Sequence, residues 1–317
     1  MAQNRWVLGA RPRTLPAAVV PVLVGSACAW GYSGNGWFNY APNSGVLFGD
    51  RPWYESINWL NFLLAMIVAL ALQIATNYSN DYSDGKRGTD DPSKRVGPPR
   101  LVGNGLATAS EVKRAMIATF GVALLAGGVL VLRVGWELIP VGLAAVAAGY
   151  FYTGGPKPYG YLGLGEAFVF IFFGVVATMG STYVQTQQLT WLSFGASVMV
   201  GCLATALLVI NNLRDIPGDT ISGKRTLAVK LGDQRTRVFY CLLMTVPYLL
   251  LPFVGGLGGR PVASLAFAAI MVSTTPIKTV LGGAKGMGLI PVLAGTGRAQ
   301  LVFGVLLMAG LIVSTYI

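Results

Sequence analysis

Two short polar stretches interrupt an otherwise strongly apolar chain, and both set oxygen donors just ahead of cations. The first, residues 77–87, reads NYSNDYSDGKR; the second, residues 215–225, reads DIPGDTISGKR. A shift of 138 residues without a gap lays Asp81 on Asp219, Lys86 on Lys224 and Arg87 on Arg225, while Asn77 meets Asp215. Leading into and along the first stretch, Gln73, Asn77, Asp81 and Asp84 are spaced four, four and three apart. On a helix they fall in one stripe roughly 80° wide, so all four aim the same way. In the second, Asn211, Asp215 and Asp219 repeat the four-residue spacing, and Pro217-Gly218 predicts that the helix unwinds after Arg214 or Asp215.

Acids at this depth in an apolar chain are costly to keep and mark a functional site. Two carboxylates about 5 Å apart repel by about 3 kcal/mol at an effective dielectric of 20. Several facing one cavity therefore call for protons or cations. The chain has no histidine, which removes His-based triads, proton relays and zinc-protease sites. Oxygen ligands without His or Cys favour Mg²⁺, which shares its shell with phosphate oxygens. The basic residues beside the acids fit that anion: Lys86, Arg87, Lys94, Arg95, Arg100, Lys224 and Arg225. Asp90, Asp91 and Asp233 read instead as solvated faces. A diphosphate needs a membrane site only if it carries a lipid tail, so the implied ligand is a prenyl diphosphate. Tyr78, Tyr82, Tyr150, Tyr152, Tyr159 and Tyr161 are candidates to face an allylic cation, or to mark the membrane interface.

The elements that position these groups are helices in a bilayer. Of 317 residues, 54% are hydrophobic and 11% charged, against about a quarter charged in a soluble domain. Apolar runs lie near 15–33, 59–76, 115–132, 138–151, 167–186, 191–210, 238–257, 262–281 and 301–317. The expectation is an all-α membrane protein, 1–317 forming one domain, with nine transmembrane helices around a central cavity. With a cytoplasmic N-terminus, 20 of the 23 basic residues fall inside and only Arg51, Arg133 and Arg260 outside. The net charge of +11 is thereby a topology signal, and no nucleic-acid partner is expected. Cys28, Cys202 and Cys241 show no disulfide or metal spacing. Arg5, Arg11 and Arg13 precede the first run, and Ala27-Cys28-Ala29 resembles a cleavage site; Arg11-Pro12-Arg13 favours a retained helix. Segment 34–57 reads as the longest outer loop. The glycine-rich inner loops at 154–166 and 282–298 lie on the acidic side and are candidates to cap the site. The matching motifs imply a quasi-repeat, helices two to five against six to nine, with the site between the halves.

These residues resemble the UbiA superfamily of intramembrane aromatic prenyltransferases, and within it the branch that prenylates 1,4-dihydroxy-2-naphthoate. The resemblance rests on RPRTLP (11–16), NYSNDYSDGKRGTD (77–90), RVGP (95–98), YTGGP (152–156), NNLRD (211–215) with Asp219, GKRTLAV (223–229) and LIPVL (289–293). Asp81 and Asp84 lie closer together than the acids of the generic superfamily pattern, which leaves Asp84 and Asp90 as alternatives for completing the first metal site. The resemblance implies a bacterial inner-membrane enzyme with cytoplasmic active-site loops. It implies Mg²⁺-assisted transfer from a polyprenyl diphosphate to 1,4-dihydroxy-2-naphthoate with loss of CO₂. Asn77, Asp81, Asp84, Asp215 and Asp219 would hold Mg²⁺; Lys86, Arg87, Arg100, Lys224 and Arg225 would grip diphosphate; Lys157 would face the aromatic acid. The rival readings are another branch, such as 4-hydroxybenzoate prenylation, and a cation-coupled transporter.

Overall fold

The computed structural model describes residues 4–31, 57–89 and 97–317. The expectations placed on Arg51, Asp90, Asp91, Lys94 and Arg95, and on nearly all of the 34–57 loop, lie outside the described residues. Ten helical segments carry the fold: α1 (Arg5–Ala10), α2 (Pro16–Ala29), α3 (Trp59–Arg87), α4 (Ala109–Val134), α5 (Leu138–Phe151), α6 (Gly165–Thr186), α7 (Trp191–Ile221), α8 (Leu227–Leu257), α9 (Pro261–Leu281) and α10 (Gly286–Val313). Within the described residues, each apolar run read from the sequence overlaps one of them. Seven of them, α3, α4 and α6–α10, are long and apolar enough to cross a membrane. The segments on either side of Leu15, bent by 52°, make an eighth span if counted as one, and α5 is a shorter apolar helix. Leu125, Leu132, Leu249, Leu257 and Met271 are exposed on the outside of the bundle, a surface that suits lipid.

Local sequence sets the helix ends. Asn58 caps α3 by accepting from the Asn61 amide, Lys86 and Arg87 occupy its last turn, and Gly88 closes it at φ 69°. Cations there suit the helix dipole, and the left-handed turn suits glycine. Thr190 and Ser193 form a reciprocal cap at the start of α7. The expected unwinding of α7 at Pro217 does not occur: the helix runs on to Ile221. Proline removes one hydrogen bond, and here it does so within the last turn and a half. Asn211, Asp215 and Asp219 therefore stay on one helical stripe.

α7 is the most buried of the seven long spans and packs against α8, α6, α10 and α2. One apolar core joins α2 with α7–α10, centred on Leu203, Met244, Leu251, Phe303 and Leu307. Smaller clusters hold α3 to α4, with Tyr78, Leu101 and Phe120 at one end and Leu64, Leu130 and Val134 at the other. Between these packed groups lies a cavity of about 1160 Å³, walled by parts of α1–α7, the start of α10 and the loops at their ends. Part of its wall is unusual helix: Phe170–Val176 within α6 is wound as a π-helix, a form often found at functional sites.

Candidate active site

Asp84, Asp215 and Asp219 all line this cavity, so the acids of both motifs meet across it. Asp84 comes from the end of α3. Its carboxylate accepts the Tyr161 hydroxyl at 2.5 Å and the Lys224 ammonium at 3.1 Å. Lys224, in the loop after α7, thus spans the two halves, and its Nζ also sits 4.6 Å from the Tyr161 ring centre. Burial works against the lysine charge, yet Asp84, with Tyr161 and Asp219, outweighs it and holds its pKa above the ordinary value. Burial, then Asp84, pushes the Tyr161 phenol up, so it remains a donor to that carboxylate. On α7, Arg214 forks onto Asp215 at 2.8 and 2.7 Å and donates to Asn211 at 2.7 Å. Gly97 makes room for this arginine: a Cβ there would lie 3.3 Å from the guanidinium carbon. Arg87 donates to the carbonyls of Thr153 and Gly155 and lies over Tyr161.

Asp81 does something else. It is buried but is not part of the cavity wall. Its carboxylate accepts from Arg11, from Arg100 at 2.8 Å and from the Leu101 amide at 3.1 Å. Asn77 faces the cavity, but its amide donates to the Ala10 carbonyl at 3.0 Å and to Thr14. Both residues tie the N-terminal segment to α3. One helical turn before Asp84, Asn80 also reaches the wall, and its side-chain oxygen accepts from Thr153 at 2.8 Å. A shift of 131 residues places Asn80 on Asn211, Asp84 on Asp215 and Gly88 on Asp219, and all six line the cavity. This register supersedes the shift of 138, which pairs the wall residue Asp219 with Asp81, a residue off the wall.

Arg87, Arg100 and Lys224 also reach the wall. Lys86, Lys157 and Arg225 do not: they are exposed, and none lines the cavity. Lys86 is two residues, or about 200°, around α3 from Asp84, and Lys157 lies between two prolines outside the helices. Of the candidate tyrosines, Tyr152, Tyr159 and Tyr161 line the cavity. Tyr159 stacks on Phe168 at 4.0 Å, and Phe168 is stacked with Phe172 at 6.1 Å, forming an aromatic wall. Gly286, Ile290 and Leu293 bring the last inner loop and the start of α10 to the same cavity. Arg11, Asn80 and Arg214 were not singled out as site residues from the sequence, and Tyr161 was a candidate only to face the allylic cation or the membrane interface, not to bond Asp84. Pairing Asn80-x3-Asp84 with Asn211-x3-Asp215 would have found Asn80.

The donor set fits Mg²⁺. Asn80, Asp84, Asn211, Asp215 and Asp219 offer only hard oxygens, and Cys28 and Cys202 are buried in the α2–α7 core. Among the described residues no three acids converge tightly enough to cage an ion unaided. An ion here must complete its shell from elsewhere, as Mg²⁺ does with water and phosphate.

The model of the UbiA prenyltransferase family matches residues 52–275. The chain belongs to that family. It is similar to a 1,4-dihydroxy-2-naphthoate octaprenyltransferase of Mycobacterium tuberculosis, with 44% identity over 94% of each chain. The protein of that description in Bacillus subtilis is 31% identical over 100% of this chain and 94% of its own. Among solved structures, a UbiA homolog from Archaeoglobus fulgidus bound to DMAPP and Mg²⁺ superposes with a TM-score of 0.58 at 16% identity, covering 97% of this chain and 99% of that one. The UbiA fold and an integral membrane protein with multiple spans follow from these likenesses and from the helices described above.

Proposed function

We propose that this chain transfers a polyprenyl group from polyprenyl diphosphate to 1,4-dihydroxy-2-naphthoate, with loss of CO₂, in menaquinone biosynthesis. The observation that carries the reading is the meeting of Asn80 and Asp84 with Asn211, Asp215 and Asp219 on one cavity whose remaining wall is largely apolar and aromatic. The cavity combines an end suited to a metal-bound diphosphate with a lining suited to an isoprenoid. The two relatives described above point to the acceptor.

Asn80, Asp84, Asn211, Asp215 and Asp219 are the residues that would hold Mg²⁺. When bound, the ion supplies Lewis-acid stabilisation of the departing diphosphate. The protein's own groups do the rest. Lys224 has three N–H donors and spends one on Asp84, which leaves two for phosphate oxygens. Arg214 holds Asp215 in a fixed rotamer, and Tyr161 does the same for Asp84. As the allylic C–O bond breaks, its electron pair leaves with the diphosphate. Tyr152, Tyr159, Phe168 and Phe172 keep water from the allylic carbon and offer π-faces to its positive charge. The ring then forms the new C–C bond, and loss of CO₂ restores aromaticity. No base is required to remove the carboxyl carbon.

The full topology belongs to this reading: α1 and α2 as one bent span, α5 as a short one, nine in all, with a cytoplasmic N-terminus and active-site loops. The test is to incubate membranes containing the protein with geranylgeranyl diphosphate, Mg²⁺ and either 1,4-dihydroxy-2-naphthoate or 4-hydroxybenzoate. The reading expects a prenylated, decarboxylated naphthoquinol by mass spectrometry. A product from 4-hydroxybenzoate alone would move the protein to another branch. Ion-driven uptake into vesicles with no prenylated product would favour a transporter.

A further inference from the structure

The cavity has a second charged edge that the diphosphate reading does not use. Arg11 and Arg13 both line it, from the break between α1 and α2. Arg11 donates through Nη2 to Asp81 and, at 3.5 Å, to the Asn77 carbonyl. Its Nε and Nη1 have no protein partner among the described residues, and neither does the Arg13 guanidinium. Asp81 is turned off the wall. The cavity therefore sees the two cations of this edge without an acid between them, unlike the end where Asp84, Asp215 and Asp219 lie.

The backbone adds an independent observation. Arg11 sits at φ 53° and ψ 71°, one of two non-glycine residues with positive φ among those described. A Cβ costs energy in this left-handed region, and glycine or asparagine would fit more easily. An arginine kept in that conformation points to a use for its side chain. The strained turn delivers the guanidinium to Asp81, one helical turn into α3 from Asp84, and Asp81 fixes its position.

We propose that Arg11 and Arg13, the first held by Asp81, form a carboxylate subsite for the aromatic acid, distinct from the acid-lined diphosphate end. This rests on the prenyl-transfer reading above and deepens it. A metal-bound diphosphate needs carboxylates to hold its ions. A bare carboxylate needs only a guanidinium, whose fork matches its two oxygens. Arg11 and Arg13 offer the second arrangement. Asp81 is then a positioning residue and Arg11 a binding one.

The test uses the full chain in nanodiscs, with KM measured for each substrate while the other is saturating. Two acceptors are compared, 1,4-dihydroxy-2-naphthoate and 1,4-naphthalenediol, which lacks the carboxylate. Arg11→Gln raises KM for the acid by about 10- to 150-fold, the worth of a charged hydrogen bond. It leaves KM for geranylgeranyl diphosphate within about twofold and narrows the preference for the acid over the diol. Asp81→Asn shifts the same parameters less, and Arg11→Lys recovers part of the loss. A rise in KM for geranylgeranyl diphosphate, or an equal loss with both acceptors, overturns the assignment. Folding is checked by thermal stabilisation with geranylgeranyl diphosphate and Mg²⁺, which Arg11→Gln retains. Its loss in an inserted protein places Arg11 at the diphosphate end and also overturns the proposal. Absence of any naphthoate product from the unsubstituted protein would instead be a failure of the prenyl-transfer reading itself.

Discussion

Replacing Lys224 with methionine removes a cation that joins the two halves of the site through the Asp84 carboxylate. At 3.1 Å from Asp84, the gross attraction is about 5 kcal/mol at an effective dielectric of 20. Desolvation of both groups offsets much of this. What the reaction loses is a charged hydrogen bond to phosphate, about 1.5–3 kcal/mol, or roughly a 10- to 150-fold fall in kcat/KM. Methionine keeps the length and apolar stem, so the loss reports charge. The substitution also leaves Asp84 without its lysine, which favours a divalent cation at that carboxylate. The Mg²⁺ concentration for half-maximal rate therefore falls or stays constant while KM for prenyl diphosphate rises. Because the folded pKa of Lys224 lies above the ordinary 10.5, its contribution is fully present below that value. It is lost only as pH rises through the folded pKa, so the mutant-to-wild-type ratio is flat from about pH 6 to 9. The assay is initial-rate kinetics with separate titrations of prenyl diphosphate and Mg²⁺. An unchanged KM for prenyl diphosphate, or a marked rise in the Mg²⁺ requirement, would refute this reasoning.

Other expectations follow from the same geometry. Asp215→Asn lowers kcat/KM by at least about 100-fold while the protein still inserts, since it removes a charge that supports the departing group; near-wild-type turnover would remove Asp215 from the site. EDTA stops product formation and Mg²⁺ restores it, and indifference to chelation would exclude the metal assignment. Thr190→Ala, which deletes the cap of α7, lowers stability by about 1 kcal/mol without changing kcat per folded molecule. A melt in detergent checks this, and an unaltered midpoint would show that the cap is redundant. Phe168→Ala opens the aromatic wall and increases hydrolysis of prenyl diphosphate to free prenol relative to transfer; an unchanged ratio would mean that this wall does not shield the allylic carbon.

Most helices were legible because their apolar runs are long, and α3, α4, α7 and α8 begin at side-chain caps. The acids were legible because carboxylates in such a chain have few structural uses. The repeat register was not. The shifts of 138 and 131 differ by seven residues, almost two full helical turns, so helical periodicity alone barely separates them. The Gly-Lys-Arg triplets at 85–87 and 223–225 favoured the wrong one. Only the side of α3 that faces the cavity distinguishes Asn80 from Asp81. The N-terminal arginines were hidden for another reason: their role depends on a left-handed backbone at Arg11 and on a partner 70 residues away. The break expected at Pro217 failed because a proline near a helix end sacrifices little.

The most direct test of the central claim is a double-mutant cycle on the binding of an unreactive prenyl thiodiphosphate with Mg²⁺, measured calorimetrically in wild type, Asp84→Asn, Asp215→Asn and the double variant. If carboxylates from both halves hold one metal-bound diphosphate, each single substitution removes most of the binding, and the double variant loses clearly less than the sum. Strict additivity, or binding that survives either substitution, would contradict the account.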